Sequence, residues 1–177
     1  MENGKLYLIP TPIGDGQFND FFPAFNAEII NHIDYYIVEE LRTARRFLRY
    51  ANIEKRIDEL QFFELNEHTA AQDTVGYLDP IARGENVGLM SEAGLPCIAD
   101  PGNLVTAQAQ SKGIDVIPLV GPSSIMLALM ASGFNGQNFA FLGYPPIDGA
   151  KRTAYFKKVE QAVYRDSQTQ IMIEAPY

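Results

Sequence analysis

SEAGLPCIADPG, residues 91–102, is the stretch whose reading decides the fold. It follows a short apolar run, 86–90, that reads as a buried strand, and its closing Pro-Gly turn leads into a helical pattern. Between them lie glycines, prolines and small side chains, which leave backbone amides and carbonyls accessible at a strand's carboxyl end. In open α/β sheets that end is where ligands bind. The segment carries acids, Glu92 and Asp100, and no lysine. It suits a neutral or cationic small molecule rather than a bare triphosphate.

Outward from this loop, short β-rich runs alternate with helical patterns. Strands are predicted at 6–9, 35–39, 60–64, 87–90, 115–118, 139–142 and 170–174. Helices are predicted at 24–31, 43–51, 71–83, 103–112, 124–131 and 151–163. This alternation implies βαβ units and mainly parallel sheets with covered faces. A domain boundary falls near residues 118–122, giving 1–119 and 120–177. Only two strands and two helices follow it, thin for an independent core.

The chain has 177 residues, 46% hydrophobic and 20% charged, with a net charge of −8. Those proportions are those of a globular protein, and the charge disfavours broad, sequence-independent nucleic-acid binding. It leaves room for a local basic patch. The single Cys97 excludes an internal disulfide and a cysteine-only zinc site, and fits a reducing cytoplasm. The longest apolar run, 125–131, is shorter than a bilayer span. A cytoplasmic protein without a membrane segment is the expectation.

Five further segments bear chemistry. IPTPIGD (9–15) ends the first strand without the G-x-G-x-x-G spacing, and no phosphate-loop motif occurs anywhere. It reads equally as a ligand loop and as an ordinary strand-to-helix turn. VGPSSIMLALMASG (120–133) opens a helix that is apolar all round and therefore expected to be buried. Its amino end could hold a carboxylate. EELRTARRFLRY (39–50) places Arg42, Arg45, Arg46 and Arg49 along one broad helical face. That face is either phosphate-contacting or a solvated surface paired with nearby acids. ELNEHT (64–69) groups Asn66, Glu67 and His68 where a ligand site is expected. As an imidazole, His68 suits proton transfer or, as readily, a surface role. With only two histidines in the chain, no metal site is expected. YPPIDGAKRTAYFKK (144–158) combines basic and aromatic residues, as a nucleic-acid surface or an amphipathic helix would.

Together and in order, these segments resemble the tetrapyrrole-methylase superfamily of S-adenosylmethionine-dependent methyltransferases. Within it the chain is similar to the branch typified by the 16S ribosomal RNA cytidine 2′-O-methyltransferase. That branch carries patterns like ATPIGN, AEDTRHT, HNE, SDAGTPLISDPG, PGPSA, ALSASGL and FYESPHR. Here they read PTPIGD, VEELRTA, LNEHT, SEAGLPCIADPG, VGPSS, ALMASGF and IEAPY. The resemblance runs from residue 5 to 177. It implies two αβα domains with mainly parallel sheets, a methyl-donor cleft between them, a homodimer, and more chain after the last motif, so that the second domain is incomplete here.

Carried over residue by residue, the resemblance assigns donor contacts to Ile13, Gly14, Ser91, Glu92, Ala93, Gly94, Leu95, Ile98, Ser124, Ile125 and Ala175. The implied reaction is transfer from S-adenosylmethionine, releasing S-adenosylhomocysteine, to a ribose 2′-hydroxyl of ribosomal RNA, with the small ribosomal subunit as partner. Glu67 and His68 are the candidates for the catalytic base. Arg42, Thr43, Asn66, Lys151 and Arg152 are the candidates for substrate binding. DTRHT reads ELRTA here, so the family's acid is displaced or lost, and SDAG reads SEAG. The alternative acceptor is a tetrapyrrole or another small molecule, which needs no basic track.

Overall fold

The computed structural model describes residues 3–174. The chain divides into two compact units between Ser123 and Ser124. In the first, β1 (Leu6–Ile9) leads through α1 (Phe18–Phe21) and α2 (Ala24–Asn31) to β2 (Tyr35–Val38). Then come α3 (Leu41–Tyr50), β3 (Gln61–Glu64), α4 (Asp79–Ala82), β4 (Val87–Met90), α5 (Gly102–Ser111) and β5 (Val116–Pro118). The strands form one parallel sheet in the order β3-β2-β4-β1-β5, with Leu6 opposite Val87 and Tyr35 opposite Gln61.

Side-chain alternation explains why these runs are strands. Leu6, Ile37, Val87 and Leu89 face one core with Ile81 of α4 and with Val105 and Ala109 of α5. Ile9, Tyr36, Val38 and Met90 face the other, against Ile30 of α2 and Phe47 and Leu48 of α3. Successive residues of a strand point to opposite faces, so helices on both sides require near-continuous apolar strands. All four residues of β4 are buried. Gly88, in its middle, leaves room for its neighbours: a Cβ there would lie 2.6 Å from Ile9 Cδ1 and 3.1 Å from the Tyr36 ring.

The chain leaves β2 toward α3 on one face and leaves its neighbour β4 toward α5 on the other. Diverging connections from adjacent strands open a crevice at their carboxyl ends. That geometry puts the loops after β1, β2 and β4 along one edge.

Two expectations are corrected. Residues 71–83 do not form one helix: a 3-10 turn, Ala71–Thr74, and the short α4 are separated there, with Gly76 between them and Pro80 inside α4's first turn. Proline has no N–H for a preceding carbonyl, so a helix begins around it rather than running through it. The second unit holds α6 (Ser124–Ser132), β6 (Phe139–Phe141), α7 (Gly149–Asp166) and β7 (Thr169–Ile171), with β6 and β7 parallel. The apolar α6 was expected to be buried, yet it has no buried residue, and Met130 is 78% exposed. The described part of this unit pairs two strands and two helices, which do not enclose α6. Asp148 caps α7 by accepting from the Lys151 amide at 2.9 Å.

Candidate functional site

The loops after β1 and β4 are stitched together by main chain. The Thr11 amide donates to the Gly94 carbonyl at 2.9 Å and the Gly94 amide to the Thr11 carbonyl at 3.1 Å, an isolated antiparallel bridge. The Ser91 hydroxyl donates to the Gly94 carbonyl at 2.8 Å and lies 3.3 Å from the Thr11 hydroxyl. Thr11 and Ser91 are both buried, and these bonds satisfy them. Gly94 has φ +78°, and a Cβ there would come within 3.3 Å of Ile13 Cγ2 and 3.4 Å of the Pro122 carbonyl. Ser91, Gly94 and Ile13, expected together from the sequence, are thus brought together. Glu92 and Ala93 stand exposed, Leu95 is half-buried and Ile98 is exposed.

The rest of the β4 loop is held by Asp100. Its carboxylate accepts from the Cys97 amide at 2.9 and 3.0 Å and from the Gly102 amide at 2.7 Å. These bonds span Cys97 (φ +68°) and Ala99 (φ +60°), conformations that L residues rarely adopt and that need outside support. Burial pushes the Asp100 carboxyl up, against the opposing pull of those amides. Burial also pushes the Cys97 thiol up, so it is a packed thiol beside the Thr106 hydroxyl, not an activated nucleophile.

Next to the stitched loops lies a cleft of about 420 Å³. The β1 loop contributes Gly14 and Gly16 to its lining, and α3 contributes Thr43, Arg46, Phe47 and Tyr50. The sequence reading named Thr43 and residues of both loops as candidates and made no reading of Phe47 and Tyr50. Their recurrence with Thr43 at three- and four-residue spacing was the available signal.

Two adjacent acids after β2 have separate tasks. Glu40 caps α3: its carboxylate accepts from the Arg42 amide at 2.8 Å, the Thr43 amide at 2.6 Å and the Thr43 hydroxyl at 2.9 Å. Those amides hold its carboxyl below the usual range. In this ELRTA segment Glu40 thus serves as a helix cap. Arg42 is exposed one residue into the helix. Glu39 turns the other way. Burial raises its proton affinity, and the charges of Glu92, Asp100 and Glu67 raise it further.

A folded-state pKa above the unfolded value gives stability that is present at low pH and lost as pH rises through the raised value. Ionised Glu39 therefore opposes folding at neutral pH. Glu39→Gln is expected to raise the melting midpoint at pH 7 by about 1 °C, because solvent screens most of the repulsion. The gain fades on acidification through the carboxylate range, which melting curves at a series of pH values will register.

The loop after β3 presents the two candidate bases in solvent. His68 Nε2 lies 3.5 Å from Glu67 Oε1, with side chains 85% and 83% exposed. Asn66 shapes the turn, accepting from the His68 amide at 3.0 Å while its own amide donates to the Thr69 hydroxyl at 3.0 Å. None of the three lines the cleft.

In the second unit, Ser124 and Ile125 begin α6, and Lys151 sits in the first turn of α7. Arg152 is engaged: its guanidinium pairs with Glu174 at 2.9 Å and lies over the Phe156 ring at 5.4 Å. Ala175 lies outside the described residues. Among the described residues no cluster of three His, Cys, Asp or Glu could hold a metal, and no helix is long and apolar enough to cross a membrane.

The chain's α/β fold is similar to that in the crystal structure of the methyltransferase CobJ. The TM-score is 0.62 at 14% identity, covering 96% of this chain and 67% of that one. The likeness shows a shared fold. More particularly, the chain is a homologue of proteins named Ribosomal RNA small subunit methyltransferase I. It is 32% identical over 172 residues to the one from Vibrio cholerae, covering 97% of this chain and 56% of that protein. It is 30% identical over 177 residues to the one from Pseudomonas aeruginosa, covering 100% of this chain and 58% of that protein. The chain spans a little over half the length of these relatives. No family model matches it.

Proposed function

We propose that the chain is the part of an S-adenosylmethionine-dependent methyltransferase that carries one wall of the donor site and the acceptor surface. The reaction is methylation of a ribose 2′-hydroxyl in ribosomal RNA, with the small ribosomal subunit as partner, a homodimer as the assembly and the cytoplasm as location. The observation that carries this reading is the match, along nearly the whole chain, to proteins named for ribosomal RNA methylation. The CobJ likeness, at 14% identity, speaks for the fold alone.

The residues present fit the donor. It carries a sulfonium cation, an amino-acid zwitterion and an adenosine, and when bound it supplies an electrophilic methyl group. Backbone amides and carbonyls of Ser91–Leu95 suit the zwitterion, while Ile13, Gly14, Leu95 and Ile98 offer apolar and close-approach surface. Acids at this edge, Glu39 and Glu92 among them, favour a cationic ligand over a bare phosphate. Ser124, Ile125 and Ala175 complete the proposed contacts.

For the acceptor, the chain must orient a ribose and take up the proton its hydroxyl loses. Positioning contributes much of the rate in a displacement of this kind. Glu67 or His68 takes the proton, the pair at 3.5 Å letting the carboxylate support an imidazolium. Arg42, Thr43, Asn66, Lys151 and Arg152 position the RNA, Arg152 exchanging its Glu174 partner for phosphate.

Labelled donor incubated with small ribosomal subunits, beside a tetrapyrrole acceptor, tests the reading. Label in the RNA supports it, and label only in the tetrapyrrole selects the alternative acceptor. A protein with Glu67→Ala and His68→Ala together is expected to turn over about 100-fold more slowly. Undiminished turnover removes both from the reaction.

A further inference from the structure

A buried asparagine holds the chain where it leaves the five-stranded sheet. Asn26, in the first turn of α2, is 2% exposed, and its Nδ2 donates to the Val120 carbonyl at 2.7 Å. The ladder of the edge strand β5 closes one residue earlier, where the Leu119 amide donates to the Leu8 carbonyl at 2.9 Å. Val120 therefore lies beyond the sheet. Its side chain is 70% exposed and Gly121 has none, so apolar packing of these two side chains does not fix the segment. Main-chain contacts do. The Gly121 backbone presses on Pro10, where a Cβ would lie 2.3 Å from two ring atoms. The Pro122 carbonyl reaches Gly94, where a Cβ would lie 3.4 Å from it.

The strand order β4-β1-β5 puts three loops side by side at the carboxyl edge: 91–95, 10–14 and 119–123. The first two are joined through Thr11 and Gly94. Asn26 ties down the third. Val120 presents a carbonyl oxygen, so the tie must be a donor; the amide nitrogen of asparagine is one, and an aliphatic side chain or a carboxylate is not. A carbonyl cut off from its donor and from water is costly, and a segment with no apolar anchor relieves that cost by lifting toward solvent. We infer that Asn26 is a positioning residue of the donor site, acting through the Val120 carbonyl to hold the backbone of 120–123 against the Gly94 loop as a third main-chain strip of the wall. The inference rests on the methyl-donor reading, to which it adds a side chain from a helix that carries none of the ligand loops.

Calorimetry with S-adenosylhomocysteine, on the unaltered chain and on variants, is the test. Asn26→Ala is expected to bind about tenfold more weakly, the effect of one buried hydrogen bond lost. Its melting midpoint is expected to fall by about 5 °C. Asn26→Leu refills the volume without a donor and is expected to bind as weakly. Asn26→Ser, which can donate through a bridging water, is expected to lie between Asn26→Ala and the unaltered chain. Any buried bond lowers the melting midpoint when lost, so Gln108→Ala serves as the comparison. It removes the 2.7 Å bond from Gln108 Nε2 to Thr74 Oγ1, between α5 and the 71–74 turn. That variant is expected to melt lower and to bind with unchanged affinity. The ¹⁵N amide signals of 119–121 and 123 are expected to move in Asn26→Ala and to stay in Gln108→Ala. Unchanged affinity in the Asn26 variants overturns the inference and leaves the donor reading standing. Equal weakening in Gln108→Ala also overturns it, by making the effect one of stability. No heat with the unaltered chain overturns the donor reading and the inference with it.

Discussion

A Gly94→Val chain is expected to bind S-adenosylhomocysteine about 30-fold more weakly than the unaltered chain while keeping its secondary structure. The glycine has φ +78°, where a side chain is strained, and valine is stiffer there than most. Holding such a residue left-handed costs about 1–2 kcal/mol. Its Cβ would also press on Ile13 Cγ2 at 3.3 Å and the Pro122 carbonyl at 3.4 Å. If the loop relaxes, the two Thr11–Gly94 bonds and the Ser91 bond to the Gly94 carbonyl go with it. About 2 kcal/mol of misplacement corresponds to roughly thirtyfold in affinity. Calorimetry with circular dichroism as a control decides it. Undiminished affinity would show that the stitched loops are not part of the donor wall.

Gly88→Val is expected to lower the unfolding free energy by about 3 kcal/mol, with the melting midpoint down by about 6–12 °C. The added Cβ would lie 2.6 Å from Ile9 Cδ1 and 3.1–3.2 Å from two atoms of the Tyr36 ring. Ile9 Cδ1 is a side-chain tip and can turn away. Tyr36 cannot follow easily, because it is fully buried, its hydroxyl donates to the Ile30 carbonyl at 3.0 Å and its ring stacks on Phe62. Valine ordinarily favours a strand, so a loss here isolates packing from propensity. Urea unfolding measures it. A loss under 1 kcal/mol would mean that the two faces of the sheet are looser than the contacts imply.

The central strands were legible because nothing else satisfies their sequences. β1 and β4 have the bounds predicted for them, each residue but Gly88 being claimed by one of two apolar layers. β2 stops one residue earlier than predicted, since Glu39 leaves the ladder to face other acids. The four-residue α1 was missed, being too short to show a period; what fixes it is the aromatic cluster of Phe18, Phe22 and Phe47. Hydropathy described what α6 is made of and said nothing about what surrounds it. At the site, the glycine- and proline-rich strand ends were readable as loops. Two things were not: Glu39 and Glu40 are neighbours of one type with opposite surroundings, and Tyr50 looks like any core aromatic until its hydroxyl is seen to lack a partner.

The bridge between Thr11 and Gly94 also bears on how this edge can change over time. A recognition surface composed of main chain stores almost none of its instructions in side-chain identity. An outward residue such as Ala93 can change at little cost to the bridge, whereas the cleft's lining on α3 is written in side chains and is open to rewriting one codon at a time.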